Sequence, residues 1–405
     1  MNVLYDLQLS VVDNYDDGNF LMERDSNTNV AGFTLKGLAL LHPDWNFYVL
    51  VPYKYQRKGE ENYSPLNRTL PANVHFKEYK YYGFPFLDRM NFKIRALDRI
   101  FENIHIDIML LNDPTKVLNY KTYFYNKQKE YVPIIVRNHW VSGKLDRKVP
   151  EEIDFFIRQV EGAYYSTYAT FNSNYAIEIF LENAKEYFNE EFINKIRPKL
   201  KAFETVDAEQ VRKHYTGKKY EKFTILWGHR LSYYTGWTKT FEALRMLYEK
   251  GYNFQVIAPD PGNKMNQEDL VRQYPFILPI NKKEWSHKDY LKACSECHAV
   301  IGNHAYPATW GGLAITEPMS VGAIPFLLNK YAYKEMFWQY KTNPLAQFVY
   351  FSNEKELIKK IGFVIESNVL QKNISEAAKS FIDARLNMTQ YIHTLDSLVI
   401  NSIQK

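Results

Sequence analysis

The chain has 405 residues, more than one hydrophobic core usually supports, so its length favours two domains of about 200 residues each. Hydrophobic residues make up 46% of it and charged residues 24%, a composition that excludes a disordered chain. The formal net charge of +5 is mild and is compatible with an anionic small molecule, a nucleic acid or an anionic membrane surface. No apolar run approaches the roughly 18 residues of a membrane span, so we expect a cytoplasmic protein.

The first half of the chain alternates short apolar runs with stretches of helical spacing. We predict strands at residues 3–12, 46–51, 105–111 and 132–136, and a helix at 30–41. The opening run contains Asp6 and has no basic segment before it, which indicates a strand rather than a signal peptide. Residues 153–184 are predicted to be helical with an interruption at 169–174, and the charged stretch 199–222 is predicted to connect two domains.

Residues 53–99 break this alternation with a basic and aromatic insertion. The segment has ten Lys and Arg residues against five Asp and Glu, interleaved with tyrosines. Such a mixture is typical of surfaces that neutralise phosphates and stack on bases. An ordinary solvated loop is the alternative interpretation.

A second alternation begins at residue 223. We predict strands at 223–227, 254–258, 299–302, 324–328 and 348–351, helices at 238–250, 288–297 and 313–321, and a helical end at 374–403. Each half is therefore expected to form a parallel sheet wrapped by helices, with ligands at the carboxyl ends of the strands. The predicted domains are 1–205, 206–380 and a C-terminal segment, 381–405, that crosses back to the first domain.

The two cysteines, Cys294 and Cys297, lie in one predicted helix. A single C-x-x-C without a second pair or a nearby pair of histidines is a weak zinc signal. No Asp-x-Asp motif follows a predicted strand, and we expect no metal ion and no cofactor.

The most informative segment is 304–325. Gly311 and Gly312 precede an apolar helix that we expect to start near Trp310–Leu313, and the free N–H groups of such a helix start form a diphosphate site. Glu317 lies on the same helix, where its carboxylate can accept hydrogen bonds from sugar or ribose hydroxyls. A tight loop-to-helix turn, as in any α/β protein, is the alternative.

This segment resembles the donor-binding motif of retaining GT-B glycosyltransferases of the family 4 type, in which a Glu-x-Phe-Gly turn precedes a helix ending in Glu-Ala-x-x-x-Gly-x-Pro. Gly312, Glu317 and Gly322 match that pattern, while Thr309 replaces its first glutamate and Pro325 comes one residue late. The resemblance implies that Glu317 binds the nucleotide ribose and that Trp310, Gly311, Gly312 and Leu313 line the donor site.

A second patch, residues 225–232 followed by Gly236-Trp237, resembles the Gly-Arg-Leu and Lys-Gly region of the same enzymes. The resemblance implies that Arg230 neutralises the donor diphosphate, a task suited to a bidentate guanidinium. Thr235 stands where the family has its lysine, and Lys239 is a candidate substitute. An ordinary surface arginine is the alternative for Arg230.

A third patch combines residues 134–140 with Phe171-Asn172-Ser173-Asn174-Tyr175, which resembles the FNS-x-Y turn of these enzymes. The resemblance places His139 near the acceptor and the donor sugar, where it can steer a hydroxyl. Arg137, Asn138, Trp140 and Lys144 would line the acceptor site. A structural role is the alternative for His139.

Gly32 follows the polar run 25–29. It matches the loop of these enzymes that approaches the donor phosphates.

Together the patches imply an α/β protein of the GT-B type, with two doubly wound Rossmann-like domains facing a central cleft. The implied activity is metal-independent hexosyl transfer from a UDP-sugar to a hydroxyl, with His139 and Glu317 as the catalytic pair. The chain somewhat resembles phage DNA glucosyltransferases, and with the basic insertion this favours a hydroxymethylated base in double-stranded DNA as the acceptor. The alternative acceptors are a cell-surface glycan and a tRNA base. The alternative functions are a nucleotide-sugar epimerase and a non-catalytic subunit.

Overall fold

The computed structural model describes residues 1–7, 26–52, 70–79, 94–139, 141, 150–232, 235–259, 267–280, 287–304 and 311–404. The chain divides into two compact units. Unit 1 consists of Met1–Glu204 together with Thr389–Lys405, and unit 2 is Thr205–Met388.

Unit 1 is built on a seven-stranded sheet in which every pairing is parallel. Its strands are β1 (Asn2–Asp6), β2 (Asn46–Pro52), β3 (Val74–Tyr79), β4 (Ile108–Leu111), β5 (Ile134–Asn138), β6 (Tyr168–Phe171) and β7 (Leu200–Ala202). The spatial order is β3-β2-β1-β4-β5-β6-β7, so the direction of winding reverses between β1 and β4. Ligands of doubly wound sheets bind outside the carboxyl ends of the strands near such a reversal.

The helices of unit 1 cover a sheet whose central strand, β4, is apolar throughout. They are α1 (Ser26–Leu41), α2 (Ile94–Ile100), α3 (Val117–Gln128), α4 (Pro150–Tyr165), α5 (Asn174–Ala184) and α6 (Glu190–Ile196), with 3-10 turns at Pro114–Lys116 and Arg197–Lys199. Every residue of β4 is buried, as expected for a parallel strand covered on both faces.

Unit 2 is a second doubly wound domain, with five parallel strands in the order β12-β11-β10-β8-β9. These strands are β8 (Phe223–Leu226), β9 (Phe254–Ile257), β10 (Ala299–Gly302), β11 (Ile324–Leu328) and β12 (Tyr350–Phe351). The helices are α7 (Ala208–Lys213), α8 (Trp237–Glu249), α9 (Gln267–Gln273), α10 (His287–Glu296), α11 (Leu313–Ser320), α12 (Ala346–Val349), α13 (Glu354–Ile365), α14 (Asn368–Arg385) and α15 (Met388–Ile403). A 3-10 turn lies at Tyr331–Glu335, and most of α15 belongs to unit 1.

Pro325 lies inside β11, in the part of the strand that β12 does not reach. Ile324 donates its N–H to His298, toward the β10 side, so Pro325 turns its missing donor toward the β12 side. There β12 pairs only with Leu327 and Leu328, so no ladder hydrogen bond is lost.

Several predicted elements differ from the structure because short strands carry little periodic signal. The interruption predicted at 169–174 contains strand β6, and the stretch predicted to connect the domains contains β7 and α7. The insertion at 53–99 includes β3 and α2, while its residues 53–69 and 80–93 lie outside the described part of the chain.

Two further differences lie near the end of the chain. The helix predicted at 374–403 is two helices, because α14 ends at Arg385 and α15 begins at Met388. The strand predicted at 348–351 is shorter, since α12 extends to Val349. The spacing of apolar residues continues across both boundaries, so it did not predict where one element ends and the next begins.

The two thiols are buried in unit 2. Cys294 lies on α10 and Cys297 just after it, both are free, and both are fully buried. Within the described residues, no group of three or more His, Cys, Asp or Glu side chains is placed to hold a metal ion. No described helix is both long enough and apolar enough to cross a membrane.

Candidate functional site

At the carboxyl edge of the unit 2 sheet, the loop after β8 lies against the first turn of α11. A Cβ atom on Gly228 would come within 2.9 Å of the Ala314 carbonyl oxygen, so only glycine permits this approach. The predicted donor patches around residues 225–232 and 304–325 are therefore in contact at this point, through segments far apart in sequence.

The two glycines before α11 serve different purposes. A Cβ on Gly311 would lie 2.6 Å from the Met336 sulfur and 2.8 Å from the Tyr333 ring, so this position is fixed by packing. Gly312 has a φ of 68°, a backbone conformation that favours glycine. Gly312 is the N-cap of α11 and supplies no side-chain cap, so the N–H groups of the first turn are not capped by a side chain. Leu313 begins the helix, and Trp310 lies outside the described residues.

Glu317 lies on the buried side of α11, with 8% of its surface exposed. Burial raises the pKa of its carboxyl to about 8, while a hydrogen bond from Tyr290 opposes the rise and Asp207 adds to it. The carboxyl is thus mainly neutral at pH 7 in this structure. A ribose hydroxyl that binds Glu317 would have to replace or join the contact with Tyr290.

Arg230 is exposed at the end of the loop after β8, and Thr235 holds that loop closed. The buried Thr235 hydroxyl lies 2.9 Å and 2.8 Å from the carbonyl oxygens of Arg230 and Ser232. The residue that replaces the family's lysine therefore has a structural role. Lys239, the candidate substitute, is exposed in the first turn of α8.

Two histidines that the sequence analysis did not single out meet at the same edge. His229 follows β8 and His304 follows β10, and their ring centroids are 4.8 Å apart in an edge-to-face arrangement. His304 Nδ1 is hydrogen-bonded to the Tyr333 hydroxyl, and the Tyr333 ring also packs against Gly311. Burial lowers the pKa of His304 to about 4, and burial together with His304 holds the pKa of His229 well below its usual value. Each lies two residues past a predicted strand, a position that could have identified them.

At the carboxyl edge of the unit 1 sheet, polar side chains follow β5 and β6. His139 is half-buried directly after β5, and its carbonyl oxygen accepts a hydrogen bond from Asn172 at 3.2 Å. Ser173 caps α5 by accepting from the Ala176 N–H at 3.0 Å. The FNS-x-Y turn therefore joins the β5 and β6 loops and starts a helix. Asn138 is 1% exposed, and neither polar atom of its side chain has a hydrogen-bond partner among the described residues.

The predicted acceptor residues separate into different environments. Arg137 forms a buried ion pair with Glu204 at 2.6 Å, a contact within unit 1 that occupies its guanidinium. Trp140 and Lys144 lie outside the described residues. Gly32 was expected in a loop, but it lies inside α1, because this helix begins at Ser26.

A second buried ion pair, missed by the sequence analysis, lies next to the point of winding reversal. Lys116 reaches Asp6, the last residue of β1, at 3.2 Å. Burial raises the pKa of the Asp6 carboxyl, and Lys116 opposes that rise. Asn112 donates to the Asp6 carbonyl oxygen at 3.1 Å, which joins the ends of β1 and β4.

No protein-family model matches the chain, and no curated protein matches it in sequence. Solved structures do match it. A sucrose-phosphate synthase from Thermosynechococcus elongatus is 10% identical with a TM-score of 0.65, and the match covers 99% of both chains. The E. coli trehalose-6-phosphate protein bound with UDP-2-fluoro glucose is 10% identical with a TM-score of 0.62, over 100% of this chain and 99% of that one.

A trehalose-6-phosphate synthase studied for glycosyl transfer with retention is 11% identical with a TM-score of 0.62, and the match covers 100% of this chain and 99% of that one. Identities this low establish the fold alone. The chain has two parallel-sheet Rossmann-like domains with flanking helices, as in these GT-B glycosyltransferases, and the predicted fold class is confirmed.

Proposed function

We propose that the chain is a retaining glycosyltransferase that takes a hexose from a UDP-sugar bound at the carboxyl edge of unit 2. The observation that carries this proposal is the contact between the Arg230 loop and the uncapped start of α11, since Gly228 lies directly against Ala314. A guanidinium and free helix N–H groups on adjoining segments are suited to a diphosphate. The GT-B fold, with a UDP-sugar bound in one of the similar structures, supports this choice of ligand.

In the proposed reaction, the bond between the sugar C1 and the β-phosphate oxygen breaks. A bond from C1 to the acceptor oxygen forms on the same face, and the hydroxyl proton leaves with the nucleoside diphosphate. The leaving diphosphate gains negative charge, which Arg230 and the α11 N–H groups would stabilise. Glu317 would bind the ribose and His139 would steer the acceptor hydroxyl. Of the other proposed donor contacts, Gly32 is least supported, since it lies within α1.

The donor site is tested by binding of UDP and UDP-glucose. We expect both ligands to raise the melting temperature, and Arg230→Ala to weaken binding by about 30-fold, equivalent to about 2 kcal/mol for an ionic hydrogen bond. Arg272→Ala is the matched control, because that arginine is also in unit 2 and its side chain is 79% exposed. Equal affinities for Arg230→Ala and the wild type would remove Arg230 from the site.

The proposed acceptor is a hydroxymethylated base in double-stranded DNA, and the basic character of residues 53–99 favours it. If that segment contacts phosphates, duplex affinity should fall steeply with salt. Replacing Lys54, Arg57 and Lys58 together with alanine should flatten the salt dependence and leave UDP affinity unchanged. A wild type with no duplex affinity at low salt would contradict this acceptor.

A sugar acceptor is the second candidate. It is favoured by the amides at the edge of unit 1, since the side chain of Asn138 has no hydrogen-bond partner among the described residues and Asn172 contacts the next residue, His139. Mass spectrometry of reactions with UDP-sugars, and with either hydroxymethylated DNA or a panel of sugars, separates the two. Conversion of the UDP-sugar without any acceptor would instead indicate an epimerase.

The reaction is proposed to need no metal ion. Turnover should therefore be unchanged by EDTA, because Arg230 and the helix N–H groups would carry the charge that a cation carries elsewhere. Loss of activity with EDTA and recovery with Mg²⁺ or Mn²⁺ would show that a metal site had been missed.

A further inference from the structure

In the described part of the chain, Arg230 is the cation of the loop that lies against the start of α11. The position of the family's lysine is Thr235, which is 2% exposed and engaged with backbone carbonyls. Lys239 is exposed to solvent, where its charge is screened. A diphosphate carries two negative charges, so a second partner close to Arg230 would be expected.

His229 is placed to be that partner. It precedes Arg230 in the loop that packs against the first turn of α11, as the Gly228–Ala314 contact shows. Its Nε2 atom is buried and has no hydrogen-bond partner among the described residues. A buried polar nitrogen without a partner costs free energy, and such exceptions need a reason.

The surroundings of His229 hold the ring in place without supplying charge. Trp227 packs edge-to-face on it with ring centroids 5.8 Å apart, and His304 does so at 4.8 Å. His304 is itself fixed by Tyr333, whose burial raises its pKa well above the usual value, so this phenol stays neutral. His304 is the titratable side chain that acts on His229 within the described part of the chain.

We propose that His229 is a ligand of the donor diphosphate that takes up a proton when the nucleotide sugar binds, and so supplies the charge of the missing lysine. This inference rests on the proposed function. Burial by itself keeps the imidazole neutral. A bound anion reverses that balance, because an opposite charge within hydrogen-bond distance favours the protonated ring. The Nε2–H group then donates to a phosphate oxygen, and His304 orients the ring as a positioning residue.

The test is isothermal titration calorimetry with UDP-glucose between pH 5.5 and 8, in two buffers of different ionisation enthalpy. UDP-glucose is chosen because its diphosphate is esterified at both ends and lacks the phosphate monoester group that titrates near pH 6. The wild type should take up between half and one proton, and its affinity should rise by up to about tenfold for each unit of falling pH. His229→Gln should take up none and show a flat pH dependence.

Lys239→Ala serves as the matched variant. If Lys239 also contacts the donor, this variant binds more weakly at every pH but takes up the same fraction of a proton as the wild type. Binding by the wild type without proton uptake overturns the role of His229 and leaves the proposed function intact. Undiminished uptake in His229→Gln also overturns it. Failure of the wild type to bind UDP-glucose at any pH overturns both proposals.

Discussion

The buried titratable groups at the carboxyl edges of the two sheets have different kinds of partner. In unit 1 the buried charges pair with each other, Arg137 with Glu204 at 2.6 Å and Lys116 with Asp6 at 3.2 Å. At the edge of unit 2, the buried titratable groups that the structure describes contact neutral side chains instead. Glu317 contacts the phenol of Tyr290, and both His229 and His304 remain neutral.

This difference indicates what each edge can bind. Ion pairs formed within unit 1 leave uncharged amides such as Asn138 as the groups open to new hydrogen bonds, which suits hydroxyls. The edge of unit 2 combines an exposed arginine with neutral histidines, so a bound anion can increase its positive charge. The two edges would therefore suit the two substrates of the proposed transfer reaction, a hydroxyl group and an anionic donor.

The largest effect is expected from breaking the ion pair of unit 1. Arg137→Met should lower the free energy of unfolding by about 3–5 kcal/mol, because Glu204 would be left as a buried uncompensated charge. The double variant Arg137→Met/Glu204→Leu should recover most of the loss in a denaturant titration. A single variant as stable as the wild type but with a raised acceptor KM would instead support the acceptor role predicted for Arg137.

A pH-dependent effect is expected at Glu317. The folded protein, with a pKa of about 8, holds this proton more tightly than the unfolded chain, with a pKa of 4.5. Stability from this group is complete below pH 4.5 and is lost as the pH rises toward 8. Glu317→Gln imitates the neutral form, so its advantage over the wild type should grow from near zero at pH 4 to on the order of 4 kcal/mol at pH 8.

Thermal and denaturant unfolding across this range would measure the Glu317 effect. Glu249→Gln is the control, since that side chain is 63% exposed on α8. A constant difference between Glu317→Gln and the wild type at all pH values would show that folding does not shift the pKa of Glu317.

A smaller effect is expected from opening the Arg230 loop. Thr235→Val removes the hydroxyl near the carbonyls of Arg230 and Ser232 and should cost about 1–2 kcal/mol of stability. Affinity for UDP-glucose should fall with it, because Arg230 would be less well positioned. Thr394→Val, on an exposed face of α15, is the control. Reduced stability with unchanged affinity would separate this loop from the donor site.

The smallest effect on stability is expected at Asn138. Asn138→Val removes two buried polar atoms that have no partner among the described residues, so the free energy of unfolding should stay the same or rise by up to about 1 kcal/mol. Transfer to the acceptor should nevertheless fall at constant UDP-glucose affinity. Unchanged kcat/KM for the acceptor would exclude Asn138 from the reaction.

The fold could be predicted from sequence because apolar strands and amphipathic helices alternate clearly, as in β4, β8 and β10. The two candidate donor patches could be singled out because glycines mark backbone constraints: Gly312 has a positive φ, and Gly228 permits a close approach. Local patterns of this kind are visible in a single stretch of sequence.

Pairings between distant residues could not be predicted in the same way. Arg137 and Glu204 are 67 positions apart, and Lys116 and Asp6 are 110 apart, so no local pattern relates them. The environment of Glu317 depends on Tyr290 from another helix, and the pKa of His229 is lowered by burial together with His304, which follows another strand. Charge state is a property of the folded neighbourhood, which sequence spacing does not contain.

The two cysteines can report on the opening of unit 2. The chain contains two cysteines, both fully buried in unit 2, and burial raises the pKa of each thiol, to about 11 for Cys297. A maleimide can therefore react only when unit 2 opens, and the labelling rate measures the opening equilibrium of that domain without signal from the other. The degree to which UDP-glucose slows labelling would give the energetic coupling between the donor ligand and the domain that holds it.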